Sequence, residues 1–286
     1  MTNWLGKLAL ILATGLALPV CAAPQEPFEI NIWRDVAPEN LVIFELETGQ
    51  VVVELAQDFA PGHTDRLRKM IDARVLDGKS FYRVIDGFVA QGGLNDDDQT
   101  VWPDLKNEND REISEAGFVP FGNGDLYALE VGHMGGFAVA RDAEIGREWL
   151  LHCPGALAMA RNTDPDTGST DFYFALAPQR YLDRNLTVFG RVLSGMQHLQ
   201  KLARGDRAVN SGVMDPVPSE NTIKSVRLAS EISPEERPAY DVMRVDTNAF
   251  EDAKTQRRVR TNEFFYRTPP PVLDICSFDV PTQAKN

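Results

Sequence analysis

Phe81-Tyr82-Arg83-Val84-Ile85-Asp86-Gly87-Phe88-Val89-Ala90-Gln91-Gly92-Gly93 is the stretch on which the fold turns. From Ser80 to Val89 it is β-rich, through Phe81, Tyr82, Val84 and Ile85, with Asp86-Gly87 supplying a turn.

Upstream, Leu41–Leu46 and Val51–Leu55 are two more strand-like runs, and Thr48-Gly49-Gln50 between them predicts a hairpin. Ala60-Pro61-Gly62-His63-Thr64 opens a helix, with Leu67, Met70 and Ile71 at helical spacing. Asp77-Gly78 ends that stretch.

Downstream, residues 94–152 are less regular, carry Asp96-Asp97-Asp98 with scattered Gly and Pro residues, and read as a long insertion of loops. Short apolar runs return at 156–160 and 172–176, followed by a strand at 187–192 and a short helix at 195–203. A strand then follows at 222–228. Residues 234–263 read as a charged helix, and Pro269-Pro270-Pro271 begins an extended tail. Short strands with two helices and regular turn signals predict a mainly β chain: a closed barrel with capping helices.

The first 23 residues carry one charge, Lys7, followed by an apolar run at 8–20 and the small residues Cys21, Ala22 and Ala23. That is the layout of a secretory signal peptide, cleaved after Ala22 or Ala23, and the run is short for a membrane span. The alternatives are a lipidated Cys21 and a buried first helix. Residues 24–40 follow as an extended leader. Export to a bacterial periplasm is the expected localisation, with no membrane span remaining after cleavage.

Losing Lys7 takes the formal net charge from −13 to −14. An acidic surface repels phosphate backbones, so nucleic acid is not an expected partner. Cys153 and Cys276 would then be the two remaining cysteines, and in an oxidising compartment such a pair often bonds. A disulfide pinning the C-terminal segment to the body is expected, worth roughly 4–5 kcal/mol in the loop-entropy account. Two buried free thiols are the other reading.

The quoted stretch resembles the cyclophilin signature F-H-R-V-I-x-x-F-M-x-Q-G-G. Its flanks agree. Thr48-Gly49, Glu54-Leu55 and Ala60-Pro61 resemble the family's lead-in. Met159-Ala160-Arg161 and Thr170-Asp171-Phe172-Tyr173 resemble its M-A-[NR] and S-Q-F-F segments. Leu182-Asp183, Val188–Val192 and Gly195-Met196 resemble L-D, V-F-G-[KR]-V and G-M. The resemblance covers about 41–93 and 155–228.

The resemblance implies an eight-stranded antiparallel closed barrel capped by two helices, occupying 24–230 around the insertion 94–152. A C-terminal extension, 231–286, packs on that domain as a helical and extended segment. It implies prolyl cis/trans isomerisation without cofactor or metal, on proline-containing, unfolded or partly folded exported polypeptides, by a monomer. Arg83 matches the catalytic arginine, Gln91 the group that positions the peptide backbone, and Phe88 a pocket wall that we group with them. Val89, Tyr173 and Leu182 match further walls of the proline pocket, and Ala160 and Arg161 the substrate groove. The chain departs from the patterns at Val89 (Met), Asp171 (Gln), Tyr173 (Phe), Tyr181 (Trp) and Leu186 (His). We place Asp171, Tyr181 and Leu186 with the substrate-binding residues. These departures keep a second function in view: a proline-peptide-binding chaperone or scaffold with little turnover.

Other signals carry less. Residues 73–80 fit a relaxed phosphate-loop pattern but follow a helix and precede a strand, the reverse of what such a loop needs. Asp96-Asp97-Asp98 and Asp164–Gly168 lack the ligand spacing of a calcium loop. His63, His133, His152 and His198 show no paired zinc spacing.

Overall fold

The computed structural model describes Met1 and residues 31–95, 100–115, 117–122 and 124–285. The chain divides into two units, Met1–Asn31 and Ile32–Asn286. The expected signal peptide, the first part of the leader and Asp96-Asp97-Asp98 lie outside the described residues, Met1 excepted.

The second unit opens with β1 (Trp33–Asp35), then the hairpin β2 (Leu41–Leu46) and β3 (Gly49–Leu55). Helix α1 (Pro61–Asp72) follows, starting at a proline whose fixed φ suits a first helical position. β4 (Ser80–Val84) and β5 (Val89–Gly93) hold the signature stretch. The segment after β5 contains β6 (Arg111–Glu112), β7 (Phe118–Pro120), β8 (Glu130–Met134), β9 (Phe137–Asp142) and β10 (Arg147–Leu150). The chain returns through β11 (Ala156–Met159), β12 (Phe172–Ala175), β13 (Val188–Ser194), α2 (Met196–Leu199) and β14 (Ile223–Leu228). It ends with β15 (Tyr240–Met243), α3 (Asn248–Arg258) and β16 (Thr282–Ala284).

Eight strands form one antiparallel sheet in the order β14-β2-β3-β13-β11-β12-β5-β4. Its two edges meet: Gly78 N–H donates to the Ile223 carbonyl at 2.8 Å, and Ile223 N–H to Lys79 at 2.7 Å. The result is a nearly closed barrel. Alternate residues point inward, so Val51, Val53 and Leu55 of β3 join Phe44, Phe81, Phe172 and Phe174 in the interior. The four rings meet edge-on or tilted, with centroids such as Phe44–Phe174 at 5.4 Å. α1 adds Leu67, Met70 and Ile71 to the same core.

Three expectations are corrected. The insertion is not a set of loops: β6-β10-β9-β8-β7 is a five-stranded sheet, with Gly135-Gly136, both at positive φ, turning β8 into β9. The helix expected at 195–203 keeps one regular turn, 196–199. Beyond it, the Asn221 side chain takes over the backbone, accepting from Ala203 N–H at 2.7 Å and donating to the Ala203 carbonyl at 3.1 Å. The charged helix expected at 234–263 is a strand, β15, and then α3, which starts where Thr247 accepts the N–H of Phe250. β15 pairs with both β1 and β16, and Pro238 just before it has no N–H for a helix.

The insertion sheet and the C-terminal segment pack on the outer face of β2 and β3. Leu41, Ile43 and Val52 meet Phe121, Val131, Trp149, Val242, Phe250 and Phe278 there. Cys153 and Cys276 form the expected disulfide across this layer.

Candidate active site

Arg83 on β4 and Gln91 on β5 are register partners, so their side chains share one face. Arg83 Nη1 donates to Gln91 Oε1 at 3.0 Å, and Arg83 Nε donates to the Ser211 carbonyl at 2.9 Å. The guanidinium carbon stands 5.5 Å from the Phe88 ring centroid, within cation–π range. Arg207 approaches the same ring at 5.3 Å. Partial burial, with Arg207 adding to it, lowers the Arg83 pKa, while Tyr82 and Tyr181 oppose the shift.

The pairing of β4 with β5 shifts register between Ser80 and Arg83. Such a bulge breaks strict alternation and re-aims side chains. Its effect is that neighbours Tyr82 and Arg83 both reach Gln91: Gln91 Nε2 donates to the Tyr82 hydroxyl at 2.8 Å. Burial, with the charge of Asp171 acting on that hydroxyl, raises the Tyr82 pKa.

Val89 and Tyr173 are buried, and Phe88, Ala160 and Leu186 pack half-buried against them in one apolar cluster on the outside of the barrel. Val139 and Leu150, from the insertion sheet, belong to the same cluster. Leu182 is half-buried and stands outside this cluster, and Tyr181 is exposed. Arg161 is committed to backbone: Nε and Nη2 donate to the Asn185 carbonyl at 3.0 and 2.8 Å, and Nη1 to Asn162 and Thr163. It thereby holds the loop that carries Leu186.

A buried polar chain supports Tyr173 from behind. His152 Nε2 lies 2.9 Å from the Tyr173 hydroxyl, and its Nδ1 lies 3.1 Å from Asp183 Oδ1. Arg180 bridges Asp183 to Asp125, meeting the latter through Nη1 and Nη2 at 2.9 and 3.0 Å. Burial, with Asp183 beside it, raises the Tyr173 pKa.

Sequence reasoning brought Arg83, Gln91, Phe88, Val89, Tyr173 and Leu186 to one region. It missed Tyr82, His152, Asp125, Arg207 and Ser211. Tyr82 was legible as the residue standing where the quoted signature has His. His152 carried no signal, being set apart from Tyr173 by 21 residues.

Comparisons with known proteins agree with this geometry. The family described as cyclophilin type peptidyl-prolyl cis-trans isomerase/CLD matches residues 41–228. A probable peptidyl-prolyl cis-trans isomerase of Brucella suis is 32% identical over 181 residues, covering 63% of this chain and 79% of that protein. Peptidyl-prolyl cis-trans isomerase B of Bacillus subtilis is 30% identical over 164 residues, covering 57% of this chain and 90% of that protein. The crystal structure of cyclophilin AquaCyp293 from Hirschia baltica superposes with a TM-score of 0.72 at 28% identity, covering 88% of this chain and 93% of that one. The matched segment begins with β2 and ends with β14, so it contains the whole barrel and both signature strands: the chain belongs to the cyclophilin-type peptidyl-prolyl cis-trans isomerases.

Proposed function

We propose that this isomerase acts on X–Pro bonds of exported, partly folded polypeptides in the periplasm, and that Arg83 is its electrostatic element. The bond rotates over a barrier of about 18–20 kcal/mol because twisting breaks amide resonance. No bond to carbon is made or lost, so the site has only to bind the twisted amide better than either planar form. Twisting leaves a lone pair on the prolyl nitrogen, and a fixed guanidinium donates to it only then. A ten-thousandfold acceleration requires about 5.5 kcal/mol of such preference.

The observation that carries the reading is the clamp on Arg83. Nε and Nη1 are tied to Ser211 and Gln91, while Nη2 has no hydrogen-bond partner among the described residues. One donor is thus held ready beside Phe88 and the apolar cluster that would hold the proline ring. Gln91 would position the peptide backbone. The signal-peptide layout of residues 1–23 and the Cys153–Cys276 disulfide support the export part, since disulfides persist in oxidising compartments.

NMR exchange on a proline peptide, for the wild type and Arg83→Ala side by side, tests this. Loss of most of the acceleration at unchanged peptide affinity supports it. If both proteins bind peptide and neither accelerates exchange, the site is a recognition module, the reading that Leu186 in place of the family's His favours.

A further inference from the structure

The hydrogen bonds behind Arg83 run in one direction. A guanidinium can only donate, so the Gln91 oxygen must face Arg83. The Gln91 amide nitrogen must then face the other way, where it donates to the Tyr82 hydroxyl. A hydroxyl that accepts from Gln91 has one proton left to give, and the charge of Asp171, which acts on that hydroxyl, draws it away from Gln91. An ionised carboxylate only accepts, so Asp171 fixes the far end of the chain. Its Oδ1 is itself held by the N–H of Asn95 at 3.0 Å. Gly93, at positive φ, leaves the room: a Cβ there would strike Asp171.

The two ends set the same polarity. Were Asp171 replaced by a group that cannot accept, the Tyr82 proton would be free to turn toward Gln91. The amide would then be driven to flip, presenting its NH2 to Arg83. Tyr82 is buried and its pKa is raised, so it stays a donor at working pH. The quoted family patterns carry His where this chain has Tyr82 and Gln where it has Asp171, so the two departures fall where one acts on the other.

We propose that Tyr82 and Asp171 are positioning residues that act through Gln91 to hold the Arg83 guanidinium in its reactive orientation. Asp171 then works behind the arginine and is not a contact in the substrate groove. The inference rests on Arg83 being the electrostatic element.

The test is a set of variants read by NMR exchange on a proline peptide: Y82F, D171A and their double, each also in the R83A background. Y82F and D171A each lower kcat about tenfold, the equivalent of one ordinary hydrogen bond lost from the transition state, with peptide Kd unchanged. The double variant falls no further than either single one. In the R83A background neither substitution lowers the rate again. In Y82F the Gln91 side-chain amide protons and the Arg83 Nε–H shift and exchange faster with solvent. Wild-type kcat in Y82F and D171A overturns the proposal, as does a tenfold loss that persists without Arg83. If R83A itself runs at the wild-type rate, it is the reading of Arg83 that fails. Should one single variant not fold, the other carries the same comparison.

Discussion

His152 and Tyr173 stack at an interplanar angle of 15° while Nε2 of the first meets the hydroxyl of the second at 2.9 Å, with both residues buried. His152→Leu leaves that hydroxyl without a partner, at a cost of about 1–3 kcal/mol. It also frees the Tyr173 ring in the proposed proline pocket, so KM for a proline peptide should rise. Adding Tyr173→Phe removes the orphaned hydroxyl and returns part of the lost stability. Thermal unfolding of the two singles and the double measures this, and additive losses would show that the pair is not coupled.

Asp125 and Arg180 form a buried ion pair that joins the insertion to the loop of Leu182. Asp125→Ala takes both Nη contacts from Arg180 and leaves it Asp183 as its ion-pair partner, so the variant should destabilise by about 3 kcal/mol, the lower end for breaking a buried pair. Replacing both residues by apolar ones should cost less. Urea unfolding distinguishes the two. Burial pushes the Asp125 pKa up, but the hydrogen bonds from Arg180 and the Tyr127 N–H outweigh it, so the net shift is downward. The stability this carboxylate adds is therefore present above the usual Asp range and lost as pH falls through its depressed value.

His133 sits among Phe121, Phe250 and Phe278 and titrates far from its ordinary range. Burial, with Arg191 and Lys254 adding to it, pulls its pKa from 6.5 down to about 3. Between those values the unfolded chain takes up a proton that the folded one refuses, so stability falls as pH falls from 6.5 towards about 3. His133→Phe should flatten that part of the stability curve. Urea midpoints measured at half-unit pH steps would show it, and an unchanged slope would remove His133 as the cause.

The Cys153–Cys276 bond closes a separation of 123 residues. In the loop-entropy account its loss costs about 4–5 kcal/mol, so Cys153→Ser/Cys276→Ser should unfold well below the wild type. Denatured, unreduced wild-type protein should present no thiol from either residue to a thiol reagent. Two reactive thiols would contradict the bond.

The barrel was legible because its strands obey a period of two with apolar residues inside, as in Val51, Val53 and Leu55. The insertion sheet was not, because its strands bury charge. Glu148 of β10 is fully buried between Arg111 of β6 and Arg141 of β9, each with Nη2 at 2.7 Å. Such residues read as surface when only hydropathy is consulted. Gly135-Gly136 was a readable hairpin signal between two short runs. Arg83, Phe88 and Gln91 were legible from their offsets. Tyr82 was legible as a departure from the signature, but its place beside Gln91 was not, since alternation sends it to the face opposite Arg83 and only the bulge in β4 undoes that. His152 and Asp125 reach the pocket through tertiary contacts to residues 21 and 55 positions away, which no local pattern records.

β2 is apolar on both sides: Val42 and Phe44 face the barrel interior, while Leu41 and Ile43 face the layer that holds Val242, Phe250 and Phe278. A barrel trimmed to the family segment 41–228 would therefore show water an oily flank where Val242, Phe250 and Phe278 now sit, an adhesive face of the kind that drives aggregation. The stretch that establishes kinship is shorter than the stretch needed for a soluble body. Anyone shortening this chain to reach its catalytic barrel must keep the ending, or repaint Leu41, Ile43 and Val52 with polar residues.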